Sequence, residues 1–254
     1  VLLTMGVGLS VLAAGCSAQP TQPAGASRTP AQTLTVFAAA SLTAPFTTLG
    51  RLFEEQHPGS SVLLNFAGSS SLVAQLDQGA VADVLATADA VTMADADAAR
   101  LLSGPPITFA TNSLTIAVPP TNPARIGSFA DLDRDGVRLV VCLPTVPCGA
   151  ATEQVERNTG VTLRPVSEES SVTEVLTKVA VSEADAGVVY RSDITRADGR
   201  VADIAIPDRD NAVNQYQLST LRRGTAPELA RLFQDLVAGA QGQRILHDAG
   251  FGSR

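Results

Sequence analysis

An α/β fold with mainly parallel sheet is what this sequence predicts, on three observations. From Leu34 onward, short apolar runs alternate with amphipathic stretches of helical period. The helical stretches follow the apolar runs closely, as in strand–helix–strand units. Glycines and a proline mark where helices stop, at His57-Pro58-Gly59, Gly79 and Gly160. A chain of 254 residues, 45% of them hydrophobic, can bury either one large core or the cores of two lobes. No internal repeat is visible.

Taken in order, "LTVFAAA" from Leu34 reads as a buried strand. "SLTAPFTTLGRLFEEQ" then sets Leu42, Phe46, Leu49 and Phe53 on one helical face, with Pro45 tolerated in the first turn. "SVLLNFA" is strand, "SSSLVAQLDQG" helix and "ADVLATA" strand. "NSLTIAVPP" is the next strand, and Ser128 and Asp131 in "GSFADL" fit a short capped helix. "VRLVVCLP" reads as strand, "CGAATEQVERNTG" as helix and "VTLRPV" as strand. "SSVTEVLTKVAVSEA" is helical, and "AGVVYRSD", "VADIAIP" and the alternating "NQYQLSTLRRG" are strands. A helical region running to Phe251 closes the chain.

The first sixteen residues, "VLLTMGVGLSVLAAGC", carry no charge and are too short to span a bilayer comfortably. They fit the apolar region of a signal peptide, although a basic n-region is missing. "VLAAGC" resembles a lipobox, in which the chain is cut before the cysteine and Cys16 takes lipid. Residues 17–33, rich in Pro, Ser, Thr and Ala, read as a flexible tether. Cys142 and Cys148 then remain, an even number suited to an oxidising compartment. They either bridge or leave a buried Cys142 thiol and a free Cys148. "CLPTVPC" lacks the further ligands of a zinc site. The net charge of −7 argues against nucleic acid as a partner and against a polybasic membrane surface.

Four helices begin with small or hydroxylic residues directly after strands: at Ser41, at Ser69, at Cys148-Gly149 and at Ser171-Val172. Parallel α/β sheets hold ligands at the carboxyl ends of their strands. Helix N-termini there present unpaired N–H groups and the positive end of a dipole, which bind anions without a basic side chain. Taken singly, each serine is an ordinary N-cap. Together they point to an anion site. Catalytic chemistry finds little support. His57 sits in a turn and His247 in the last helix, both read as solvated, and the serines have no G-x-S-x-G context and no base. Asp83, Asp89, Asp95 and Asp97 lack the glycine and terminal glutamate of a calcium loop and read as caps and a solvated helix face.

"LTVFAAASLTAPF", "NFAGSSSLVAQLDQGAVADVLATAD", "NSLTIAVPP", "VPCGAATEQV" and "AGVVYRSD" occur in an order and spacing that resemble the periplasmic molybdate-binding proteins of ABC importers. The resemblance spans residues 34–254. It implies a two-lobed class II periplasmic binding protein fold, closing about a hinge, with lobe I formed by 34–111 and 207–254 and lobe II by 112–206. By motif it implies that Ser41 and Ser69 contribute hydroxyls, Cys148 and Val172 N–H groups and Tyr190 its phenol to a molybdate or tungstate oxyanion. This is an oxyanion set and not a cation site. Two positions depart from the family pattern: Gly68 stands where serine is common, and Cys148 where alanine is common. The expectation is a monomeric, non-enzymatic solute receptor outside the cytoplasm. It has no cofactor, is anchored to the membrane through Cys16 and delivers to an ABC permease. A receptor for sulfate or another tetrahedral oxyanion is the alternative within the same class. A serine hydrolase using Ser41 or Ser69, and a lipoprotein that only contacts a partner, are alternatives from other classes.

Overall fold

The computed structural model describes residues 1–2 and 32–253. Cys16, and nearly all of the signal and tether expected at 1–16 and 17–33, lie outside these. Strand β1 (Gln32–Ala39) begins inside the expected tether and is buried on both sides. Leu34, Val36 and Ala38 face one apolar cluster, while Phe37 between them faces another with Leu72, Leu85 and Met93. That two-sided burial explains why the run reads as continuously apolar instead of alternating.

Beyond β1 come helix α1 (Thr43–Gln56), β2 (Ser60–Ala67), α2 (Ser69–Asp77), β3 (Val84–Thr87) and α3 (Ala90–Ala98). The long β4 (Ile107–Val118) precedes β5 (Leu139–Cys142), α4 (Pro147–Thr159), β6 (Ser167–Glu169), α5 (Val172–Ala180), β7 (Ala186–Tyr190) and α6 (Arg191–Ala197). Then follow β8 (Ala202–Ala205), β9 (Val213–Thr220), α7 (Pro227–Ala238) and α8 (Ala240–Asp248). Among the described residues no helix is long and apolar enough to cross a membrane.

The strands form one mixed sheet in the order β2-β1-β3-β9-β4-β7-β5-β6, with β8 also on β4. Parallel pairing joins β2, β1 and β3 at one end and β6, β5 and β7 at the other; β9, β4 and β8 pair antiparallel between them. β4 is shared by both halves. Up to Ser113 it pairs with β9, and from Leu114 with β7 and β8. The apolar cluster of the second half begins at the same residue, Leu114. At the changeover, Asn211 serves as a substitute strand: its Oδ1 accepts the Leu114 N–H at 3.1 Å and its Nδ2 donates to Leu114 O at 2.8 Å. Both backbone groups stay satisfied where the ladder switches partners.

Several elements differ from expectation. "VTLRPV" forms no strand. Among the described residues its one bond to the sheet is from the Val166 N–H to Leu139 O at 2.8 Å, past Pro165, which has no N–H to donate to a ladder, and β6 begins at Ser167. Instead the Leu163 N–H is taken by the Glu156 carboxylate at 2.6 Å. The strand read through "AGVVYRSD" ends at Tyr190, and Asp193 accepts the Tyr190 N–H at 3.0 Å to open α6. The segment at Phe129–Asp133 is a 3-10 turn, and Ser128 does not cap it. Asp89 caps α3 through the Thr92 N–H, and Asp95 and Asp97 are exposed. Asp83 is neither cap nor solvated. It is buried, and its carboxylate accepts the N–H groups of Thr35 and Ala226, both at 2.7 Å, tying β1 to the start of α7.

Candidate functional site

The parallel strands of the two halves run in opposite directions, so the strand ends that precede the expected residues face each other where β4 changes partners. Ser41 lies in a 3-10 turn (Ala40–Leu42) after β1, and Ser69 opens α2. Cys148 follows Pro147 in the first turn of α4, where a missing N–H costs nothing. Val172 opens α5 behind Ser171, whose backbone N–H is accepted by the Glu174 carboxylate at 3.1 Å while the Glu174 N–H goes to Ser171 O. Tyr190 ends β7. All five line one cavity of about 20 Å³. They are 4, 1, 4, 3 and 1% exposed, so the cavity lies among buried residues of both halves of the sheet. It admits a compact ion and not an organic solute.

Among the described residues the N–H groups of Cys148 and Val172 have no protein acceptor. Unpaired N–H groups in buried residues are rare and costly, and these two face the same space from two helix N-termini. The cavity lining contains no Lys, Arg, His, Asp or Glu. Its hydroxyls are held from behind. Ser69 Oγ accepts the Ala88 N–H at 3.0 Å, Ser41 Oγ lies 2.9 Å from the Tyr216 hydroxyl, and Asn214 Nδ2 donates to the Tyr190 hydroxyl at 2.9 Å. Burial pushes both phenols well above their usual range, so both stay protonated. Asp193, fully buried under Tyr190, is raised by burial and partly held down by Arg196, whose guanidinium it accepts at 3.0 Å.

The halves touch across the cleft beside the cavity. Ser70 Oγ donates to Thr145 O at 2.7 Å. A Cβ at Gly68 would stand 2.3 Å from Ser170 O, which accounts for the glycine that departs from the serine pattern. These contacts set the roles within "GSSS", residues 68–71, where an ordinary serine N-cap is not found. The N-cap of α2 is Gly68 with no side-chain bond, Ser70 reaches across the cleft, and Ser71 makes no side-chain hydrogen bond among the described residues. Cys142 and Cys148 are joined as a disulfide with Cα atoms 5.7 Å apart, so the loop that receives Ser70 is closed at both ends.

Sequence reasoning missed Asn214 and Tyr216. β9 reads as an ordinary alternating strand, yet its inward positions are Asn214, Tyr216 and Leu218, two of them polar and all buried. The signal was available: the chain has only two tyrosines, and their rings sit 5.9 Å apart at this site.

The family of bacterial extracellular solute-binding proteins matches residues 34–252. The chain belongs to that family. Within it, the chain is 46% identical over 241 residues to the molybdate-binding protein ModA of Mycobacterium tuberculosis strain H37Rv, covering 95% of this chain and 92% of that one. This solute-binding protein also shares its two-lobed fold with the periplasmic molybdate-binding protein of Azotobacter vinelandii, with a TM-score of 0.77 at 22% identity over 87% of this chain and 99% of that one. The sulfate-binding protein SubI of M. tuberculosis has the same fold, with a TM-score of 0.71 at 18% identity, covering 87% and 86%.

Proposed function

We propose that this solute-binding protein captures molybdate, and tungstate with it, outside the cytoplasm and delivers it to an ABC importer. The observation that carries the reading is the buried cavity in which Ser41, Ser69, Cys148, Val172 and Tyr190 meet with no acidic or basic side chain in its lining. Three α-helix N-termini, those of α2, α4 and α5, each worth roughly half an elementary charge, offset about one and a half negative charges without a cation, and the 3-10 turn at Ser41 adds a hydroxyl. That suits a dianion. A hydrogen phosphate would bring an O–H needing an acceptor, and leaving it unpaired costs on the order of 1–3 kcal/mol. Sulfate is excluded by size rather than charge, because its shorter bonds leave gaps to donors fixed on two lobes.

Capture is closure of lobe I (34–111 with 207–254) on lobe II (112–206), so the anion stabilises the closed state by the contacts it bridges. A hydrolase reading has no support in the site. Ser69 faces an N–H donor and Ser41 a phenol, and neither is a base. Calorimetry with molybdate, tungstate, sulfate and phosphate tests the reading. Tight, saturable molybdate binding is expected; a preference for sulfate would make the chain a receptor for that anion instead. Ser69→Ala should weaken molybdate binding by about 1.5–3 kcal/mol, the range for a hydrogen bond to a charged group. Wild-type affinity in that variant would remove Ser69 from the site.

The chain acts as a monomer tethered through lipidated Cys16. One acyl chain anchors only marginally, so more than one is expected, and mass spectrometry of the native protein reads the modification directly. An unmodified Cys16 would remove the anchor from this account.

A further inference from the structure

We propose that Asn214 and Tyr216 are positioning residues that force the three cavity hydroxyls to act as donors, and so set the preference for a fully deprotonated anion. The inference rests on the reading of the cavity as an oxyanion site. It begins with hydrogen-bond bookkeeping. Asn214 Nδ2 lies 3.0 Å from Ala88 O and 2.9 Å from the Tyr190 hydroxyl. A carbonyl oxygen only accepts, so the amide end facing it must be the NH₂. Its second hydrogen goes to Tyr190. The Tyr190 oxygen is therefore an acceptor towards Asn214, and its own proton can only be given away, to the cavity that the side chain lines or to the neighbouring Tyr216 hydroxyl.

The same amide acts on Ser69 at one remove. By holding Ala88 O it restrains the residue that follows β3, whose N–H, on the adjoining peptide unit, is given to Ser69 Oγ at 3.0 Å. An N–H cannot accept, so the Ser69 proton also points elsewhere. Tyr216 treats Ser41 alike. With the phenol as donor across the 2.9 Å between the two hydroxyls, the Ser41 proton is left for the cavity. Asn214 and Tyr216 do not line the cavity, yet they decide which way its three hydroxyls point. Both are buried on the same face of β9, two residues apart, as the pleat requires.

A hydroxyl released from this control can turn and accept. The test therefore compares two anions, and not affinity alone. Molybdate and phosphate binding are measured by calorimetry and by competition on the unaltered chain, on Tyr216→Phe and on Asn214→Leu. Apo thermal melts confirm that each variant is folded. Tyr216→Phe removes a single oxygen and is read alone if Asn214→Leu fails to fold. The expected result is that molybdate affinity falls about tenfold while phosphate affinity holds or rises, so the discrimination between them narrows by about tenfold. A residue that only supports packing weakens both anions equally, and that outcome, or unchanged discrimination, overturns the inference. If the unaltered chain binds molybdate but phosphate competes equally with it, the donor-only account falls while the oxyanion site stands. If the unaltered chain binds neither anion, the proposed function falls and the inference with it.

Discussion

Gly149→Ala should destabilise the protein by about 3 kcal/mol, lowering the melting temperature by roughly 10 °C for a domain of this size. The methyl group would stand 1.9 Å from Leu143 O and 2.8 Å from Cys142 O, both backbone atoms of the disulfide-closed loop. The far end of a flexible side chain would yield to such a contact. This loop has little freedom, because the disulfide holds its ends and Pro144 and Pro147 stiffen it. The first turn of α4 must move instead, carrying the unpaired Cys148 N–H away from the cavity. Molybdate affinity should therefore fall in the variant molecules that remain folded. Thermal denaturation with calorimetry checks both parts, and a melting temperature within about 2 °C of the unaltered chain would show that the loop is softer than its covalent closure implies.

Opening the Cys142–Cys148 bridge is expected to cost about 2 kcal/mol of stability, the amount that the chain-entropy account assigns to so short a loop. Affinity should fall as well, by about tenfold. The loop supplies the Cys148 N–H and the Thr145 carbonyl that Ser70 engages across the cleft, and an open loop must be ordered at the expense of binding energy. Cys142→Ala with Cys148→Ala, and the unaltered chain under reductant, should agree in both measurements. Equal affinity with and without reductant would limit the bridge to a structural role. Free thiols at both positions in the isolated native protein would remove it from the mechanism.

What was legible in the sequence is local. Ser41, Ser69, Cys148 and Val172 could be singled out because a strand followed by a small or hydroxylic residue and then a helix is a short-range pattern, and helix N-termini attract anions for reasons internal to each helix. The α/β class was legible for the same reason, since apolar period and turn residues act over a few positions. Local pattern failed where a distant partner decided the outcome. "VTLRPV" has the composition of a strand, but Pro165 and the Glu156 carboxylate take its backbone out of the sheet. Asp83 resembles its solvated neighbours in "ADAVTMADAD" until β1 and α7 bring it two N–H groups from 48 and 143 residues away.

The site divides in the same way. The sequence by itself determined the donor groups, the lack of a basic side chain among them and the two cysteines able to bridge. Only the tertiary structure decided that Gly68 must lack a side chain, that Ser70 spans the cleft, and that Asn214 and Tyr216 stand behind the hydroxyls. The reason is geometric. Ser41 and Tyr216 are 175 residues apart and meet because β3 and β9 pair antiparallel beside β1. A hydroxyl proton has no preferred direction in an isolated segment; it acquires one when a donor from another part of the chain occupies its oxygen.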